Sequence, residues 1–255
     1  AAENWSVKQG KEWKMAEPMK IRTQLSGDLV AIKVLIGHIM ETGQRKDPRT
    51  GQLIPAHFIK QLSVGLNGKT VMAEMQFIDF ISCGFDQIVN MTATYHYRTA
   101  GEVSIPMVIR GPAGAYAGGA LYHSQMNEAW FANSPGIKIL CPSTPSDAKG
   151  LMKAALRDPN PVLFYEIKDL YRRRDIEEEV PQGEDALVPI GKCSIRREGT
   201  DITLVTYGQN VYHCLKAAEM LEAEGFRAEV IDLRTLVPLD EETIMDSVKK
   251  TSRLL

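Results

Sequence analysis

From residue 73 onward, short apolar runs alternate with longer amphipathic segments, and no other property of the sequence limits the fold so tightly. Apolar runs of strand length have both faces buried, and amphipathic segments between them supply the covering helices, so the rhythm predicts βα units feeding a parallel sheet. AEMQF (residues 73–77) and IPMVIR (105–110) read as strands. Between them Ile81, Phe85, Ile88 and Val89 recur at helical spacing and predict one buried helix face. IKIL (137–140) and PVLFYE (161–166) are further strands. The segment joining them opens with Thr144 as N-cap, Pro145 in the first helical position and Asp147 at N3. Lys168 to Pro189 breaks the rhythm, with three arginines followed by three glutamates, and reads as a linker. A second α/β unit then follows: DITLVTYG, a helix closed by Gly225, RAEVIDL, and the helix DEETIMDSVKKT.

Residues 16–72 are written differently. KIRTQL, VAIKVLIGH, FIKQLSVGL and GKTVMAEMQF are strand-like runs without helices between them, the pattern of a β-sandwich. Residues 45–55 predict a long hairpin loop, and Asn67-Gly68 a tight type I′ turn. Composition narrows the function. Lys+Arg 30 against Asp+Glu 32 leaves no broad cationic field for nucleic acid, and the apolar runs are too short for a membrane span. Four cysteines, scattered and without a CxxC pair, indicate reduced thiols rather than a disulfide framework or a zinc site. The polar start AAENWSVKQGKEWK points to a cytoplasmic address.

The segment with most chemistry is RGPAGAYAGGALYHSQMNEAWF, residues 110–131, which joins a strand end to four glycines and then to an expected helix carrying His123, Ser124 and Gln125. Glycines permit close backbone approach to a ligand, and ligands of open α/β sheets bind beyond the carboxyl ends of strands. A flexible loop and a hydrogen-bonded structural histidine explain the same residues, and the sequence leaves both readings open. The apolar pair Trp130 and Phe131 fits either core packing or a subunit contact.

The stretch GALYHSQMNEAWFANSPGIKILCPSTPSDAKGLMKAALRDPNPVLFYEIKDLYR closely resembles the beta subunit of thiamine diphosphate-dependent 2-oxo acid dehydrogenases. The likeness extends back through AEMQFIDFISCGFDQIVN and forward to VIDLRTLVPLDEETI. It implies a parallel-sheet pyrimidine-binding domain at residues 73–168, a linker at 169–190 and a transketolase-like C-terminal domain at 191–255, preceded by the β-rich segment 1–72. It further implies oxidative decarboxylation of a 2-oxo acid with acyl transfer to the lipoyl arm of an acyltransferase, within an α2β2 assembly whose alpha subunit holds the diphosphate and its magnesium. By the same resemblance, Phe80 packs against the aminopyrimidine, Gln76 lines that pocket and His123 is the active-site histidine. A potassium ion would be held through the backbone of Ile105, Met107, Val108, Ala155, Asp158 and Asn160. One position departs: where the family carries the glutamate that activates the cofactor, this chain has Ile54.

Residues 15–72, from MAEPMKIRTQL to LNGKTV, resemble instead the SoxZ-type subunit of the sulfur-carrier complex, an immunoglobulin-like binding module. The chain therefore reads as a mosaic. Three functions stand open: a dehydrogenase beta subunit, a noncatalytic sulfur-carrier partner, and an artificial chimera without native activity.

Overall fold

The computed structural model describes residues 20–26, 29–35, 50, 70–116, 119–183 and 186–255, and within them the chain builds two sheets. The first opens with the hairpin of β1 (Lys20–Ser26) and β2 (Leu29–Leu35), antiparallel from Lys20↔Leu35 to Ser26↔Leu29. β2 then pairs in parallel with β3 (Val71–Glu74), through Val30↔Val71 and Ala31↔Met72. The strand-rich opening and the α/β region thus share one sheet. The expected Asn67-Gly68 turn and the position of Ile54 lie outside the described residues.

After β3 the chain makes a 3-10 turn (Ile78–Gly84), a π-helical turn (Gln87–Thr92) and the short helix α1 (Tyr95–Arg98) before entering β4 (Met107–Ala113). The periodicity over Ile81 to Val89 predicted one regular helix, and the structure is less regular for a packing reason. Ile78 and Ile81, three residues apart, are both fully buried, which the tighter 3-10 winding allows, and Ile88 is then brought inward by the wider turn. Helix α2 (Ala129–Ala132) precedes β5 (Lys138–Leu140), helix α3 (Pro145–Arg157) follows, and β6 (Val162–Ile167) returns to the sheet centre. β4 and β6 run parallel from Val108↔Val162 to Ala113↔Ile167, and β5 flanks β6. Phe131, Ile78, Ile81 and Ile109 fill one face of this sheet, while Leu151 and Ala155 of α3 meet Val108 and Phe164 on the other. Phe131 is fully buried against the ring of Phe85, whereas Trp130 is exposed. The start of α3 is as read from the sequence: the Thr144 side chain accepts the Asp147 N–H at 3.2 Å, an N-cap contributing about 1 kcal/mol.

The second sheet has the order β7 (Ser194–Arg197), β9 (Ala228–Asp232), β8 (Ile202–Thr206). β8 and β9 are parallel and enclose helix α4 (Asn210–Ala223), which ends where Gly225 takes φ +88°. Next, β10 (Thr235–Val237) leaves this sheet and pairs antiparallel with β5 of the first, through Thr235↔Leu140 and Val237↔Ile139. Helix α5 (Glu241–Thr251), capped by Asp240, closes the unit, and residues 253–255 run beside β8. No helix among the described residues is long and apolar enough to cross a membrane, and all four cysteines are free thiols.

Buried charge joins the two units. Arg234 donates to Asp147 Oδ1 of α3 at 2.9 Å and to the carbonyls of Lys192 and Cys193, at 3.0 and 2.9 Å. Beside it Asp232 is fully buried and accepts from the Ser143 hydroxyl and from the Arg234 N–H at 3.1 Å. Burial drives the Asp232 carboxyl up from 3.8 to about 6, against the pull of those two donors, and Asp147 adds to the rise. A carboxyl that holds its proton more tightly when folded stabilises the protein while protonated, so this contribution is complete below about 3.8 and is lost as pH rises through about 6. The loss amounts to about 3 kcal/mol. Urea unfolding of the native chain and of Asp232→Asn should show the native chain losing that much relative to the variant between about pH 4 and pH 7. A pH-independent difference would show that Asp232 titrates normally.

Candidate functional site

The site forms where β3, β4 and β6 end at the same edge of the sheet. Met75 N–H donates to Arg110 O at 2.8 Å, which keeps the chain beside β4 past the end of β3 and aims the QFIDF segment across that edge. Ile78 anchors the segment in the core, and Phe77 and Phe80 stand half-buried on either side of it. The Phe77 ring lies 4.6 Å from the His123 imidazole at 58°, and the Phe80 ring 5.8 Å from it at 78°. Phe80 and His123, distant in sequence, therefore share one wall. Gln76 is exposed beside them.

His123, Ser124 and Gln125 were expected on a helix and are not helical. A 3-10 turn (Ala120–Tyr122) stops at His123 because the next amides have a stronger acceptor: Asp79 Oδ1 takes Ser124 N–H at 2.8 Å and Gln125 N–H at 2.9 Å. Asp79 is only 6% exposed, and Asn127, also buried, ties the loop to Ile78 O and to the Tyr165 hydroxyl, both at 3.0 Å. Gly119 is required for this packing, since a Cβ there would lie 2.6 Å from His123 Cβ. Beneath the imidazole, Lys168 is buried, donates to His123 O and places its Nζ 4.6 Å from the Phe77 ring centre. Three buried polar atoms of the cluster have no protein partner: His123 Nδ1, Ser124 Oγ and Asp79 Oδ2.

A cleft of about 210 Å³ adjoins the loop, lined by Gly114, Met126 and Ile167 of the first unit and by Tyr207 and Gln209 of the second. The Tyr207 hydroxyl donates to Glu128 at 2.5 Å, and burial, reinforced by that carboxylate, pushes its pKa up. The second unit thus braces the loop from behind.

The residues expected to hold potassium gather at the opposite end of β4. Ile105 precedes the strand, Met107 and Val108 begin it, and the register Val108↔Val162 sets them beside the turn carrying Asp158 and Asn160. Ala155 O accepts the Asp158 N–H at 3.2 Å, Asp158 Oδ1 accepts the Asn160 N–H at 2.9 Å, and the Lys138 ammonium bonds Asp158 Oδ2. Among the described residues no group of three His, Cys, Asp or Glu side chains gathers as a metal site.

Sequence reasoning passed over Phe77, Asp79 and Lys168. Phe77 and Asp79 sit inside the QFIDF segment already singled out, and Lys168 directly follows a strand end, the position where α/β sheets carry their functional residues. Chemically, the two rings are faces of the kind that stack on a flat heteroaromatic group, and the imidazole beside them has a buried ring nitrogen without a protein partner.

Comparison with known proteins gives this arrangement a lineage. The profile of the transketolase pyrimidine binding domain matches residues 62–174, and that of the transketolase C-terminal domain residues 191–255. From residue 62 to Leu255 the chain is of the transketolase type, a pyrimidine-binding unit followed by a C-terminal unit. Among the curated proteins it resembles are beta subunits of 2-oxo acid dehydrogenases. The 2-oxoisovalerate dehydrogenase subunit beta of Bacillus subtilis is 50% identical over 194 residues, covering 76% of this chain and 58% of that one. The pyruvate dehydrogenase E1 component subunit beta of Rhizobium meliloti is 43% identical over 227 residues, 88% of this chain and 48% of that one. The chain spans about half the length of these curated relatives. A solved split-gene transketolase, an inactive beta4 tetramer, shares the fold with TM-score 0.57 at 26% identity, over 73% of this chain and 56% of that one. The profile of the sulphur oxidation protein SoxZ matches residues 19–83, overlapping that of the pyrimidine binding domain over residues 62–83.

Proposed function

We propose that this chain is a beta-type subunit of a thiamine diphosphate-dependent 2-oxo acid dehydrogenase and that the Phe77, Phe80 and His123 wall receives the aminopyrimidine end of the cofactor. The single observation that carries the reading is the meeting of Phe80 and His123 at 5.8 Å in a cluster whose buried polar atoms His123 Nδ1 and Ser124 Oγ have no protein partner. Those groups fit a flat, nitrogen-rich heterocycle. When bound, thiamine diphosphate supplies a carbon nucleophile that adds to the 2-oxo group and stores the electrons released on decarboxylation. Phe77 and Phe80 orient the ring by stacking, Gln76 closes the exposed side, and His123 holds or relays a proton near the reacting carbon and the incoming lipoyl arm.

In this reading residues 73–168 form the pyrimidine-binding domain, 169–190 the linker, 191–255 the C-terminal domain and 1–72 the borrowed β-rich opening. An alpha subunit completes an α2β2 assembly, holds the diphosphate and magnesium, and presents the site to a lipoyl-bearing acyltransferase in the cytoplasm. Backbone oxygens of Ile105, Met107, Val108, Ala155, Asp158 and Asn160 would hold a structural potassium ion. Isoleucine at position 54, in place of the family's activating glutamate, makes binding without appreciable turnover the expected behaviour. The SoxZ match over residues 19–83 supports a second reading, a noncatalytic sulfur-carrier partner.

Calorimetric titration of thiamine diphosphate with magnesium, in the presence of a cognate alpha chain, tests the first reading. Saturable binding is expected, weakened at least tenfold by Phe80→Ala, about 1.4 kcal/mol or more. Absence of binding, together with capture of a sulfur-carrying partner, would favour the second.

A further inference from the structure

Among the described residues Lys168 is the one buried cation of the site, and stacking and proton transfer leave it without a task. It sits directly after the carboxyl end of β6 with 7% of its surface exposed. An ammonium has three N–H donors. One bonds His123 O and another faces the Phe77 ring, and among the described residues no carboxylate lies within ion-pair distance of its Nζ. A buried charge is costly unless an opposite charge or a full set of hydrogen bonds meets it. A carbonyl and a ring face satisfy it only in part. Asp79, the buried acid of the same cluster, is committed to the amides of Ser124 and Gln125. The Ser124 hydroxyl, one residue along from His123, is likewise buried without a partner.

We infer that Lys168 binds the carboxylate of the 2-oxo acid, with the Ser124 hydroxyl as a second donor, so that the carbonyl to be attacked is held beside His123. This rests on the dehydrogenase reading above and names the specificity element within it: a small monoanion is selected by one buried positive charge. An ester or aldehyde of the same shape gains nothing from that charge.

The test uses the full chain, with pyruvate and its neutral ester methyl pyruvate as probes and saturation-transfer NMR as the readout. Lys168→Met removes the charge, and Lys168→Gln removes it while keeping a donor for His123 O. Both variants are expected to weaken pyruvate binding at least tenfold and to leave methyl pyruvate within a factor of two. Should Lys168→Met fail to melt cooperatively, Lys168→Gln alone decides. Native-like pyruvate binding by Lys168→Gln would overturn the inference, as would absence of pyruvate binding to the native chain. Inorganic phosphate binding as tightly as pyruvate would also overturn it, by making the corner a general anion site. Failure of any of these leaves the cofactor titration to speak separately for the family reading.

Discussion

Arg234→Met is expected to cost about 3–5 kcal/mol of stability, because it leaves a buried carboxylate without its cation. Asp147 is 5% exposed, and Arg234 meets it at 2.9 Å while the other guanidinium in reach, that of Arg196, stands 3.7 Å away. The same side chain donates to the carbonyls of Lys192 and Cys193, which lose their partners together with the charge. Methionine keeps much of the apolar stem, so the loss reports the guanidinium rather than a cavity. Urea unfolding measures it, and a double-mutant cycle with Asp147→Asn isolates the pair: the double variant should be more stable than Arg234→Met alone. A cost below about 1 kcal/mol would mean that Arg196 or water takes over, and the seam between the units would then owe little to this charge.

Gly136→Ala should be about as damaging, near 4 kcal/mol, by a different route. Gly136 has φ +95°, a region costly for any residue with a Cβ, and the added carbon would fall 2.1 Å from the Ala93 carbonyl oxygen. Backbone lies on both sides, so no flexible side chain can yield. Relief has to come from shifting the 88–94 segment, which carries buried Ile88 and Ala93 against the cluster containing Phe131. Chemical denaturation checks the magnitude, and a loss under about 1 kcal/mol would show that this segment moves freely.

How much of this was legible beforehand differs by element. β5, β6, β8 and β9 were readable because apolar runs of strand length between helices have one good solution, and the Thr144, Pro145, Asp147 start of α3 because capping is local chemistry. The seam between the units was not readable. β10 is three residues long, carries no run of its own and goes to a strand almost a hundred residues away. His123 was placed on a helix because its neighbourhood has helix-forming residues; the acceptor that overrides them, Asp79, is remote in sequence. Of the candidate site, Phe80 and His123 were singled out through family resemblance and meet in the structure, while Phe77 and Lys168 join them only once the strand ends are brought side by side.

The departure of β10 from its own sheet has a mechanical consequence. Main-chain pairing of Thr235 with Leu140 and of Val237 with Ile139 rivets the two lobes across a shared strand, so they cannot swing apart as hinged bodies without tearing that ladder. The shared ladder therefore ties any displacement of one lobe to the strand order of the other.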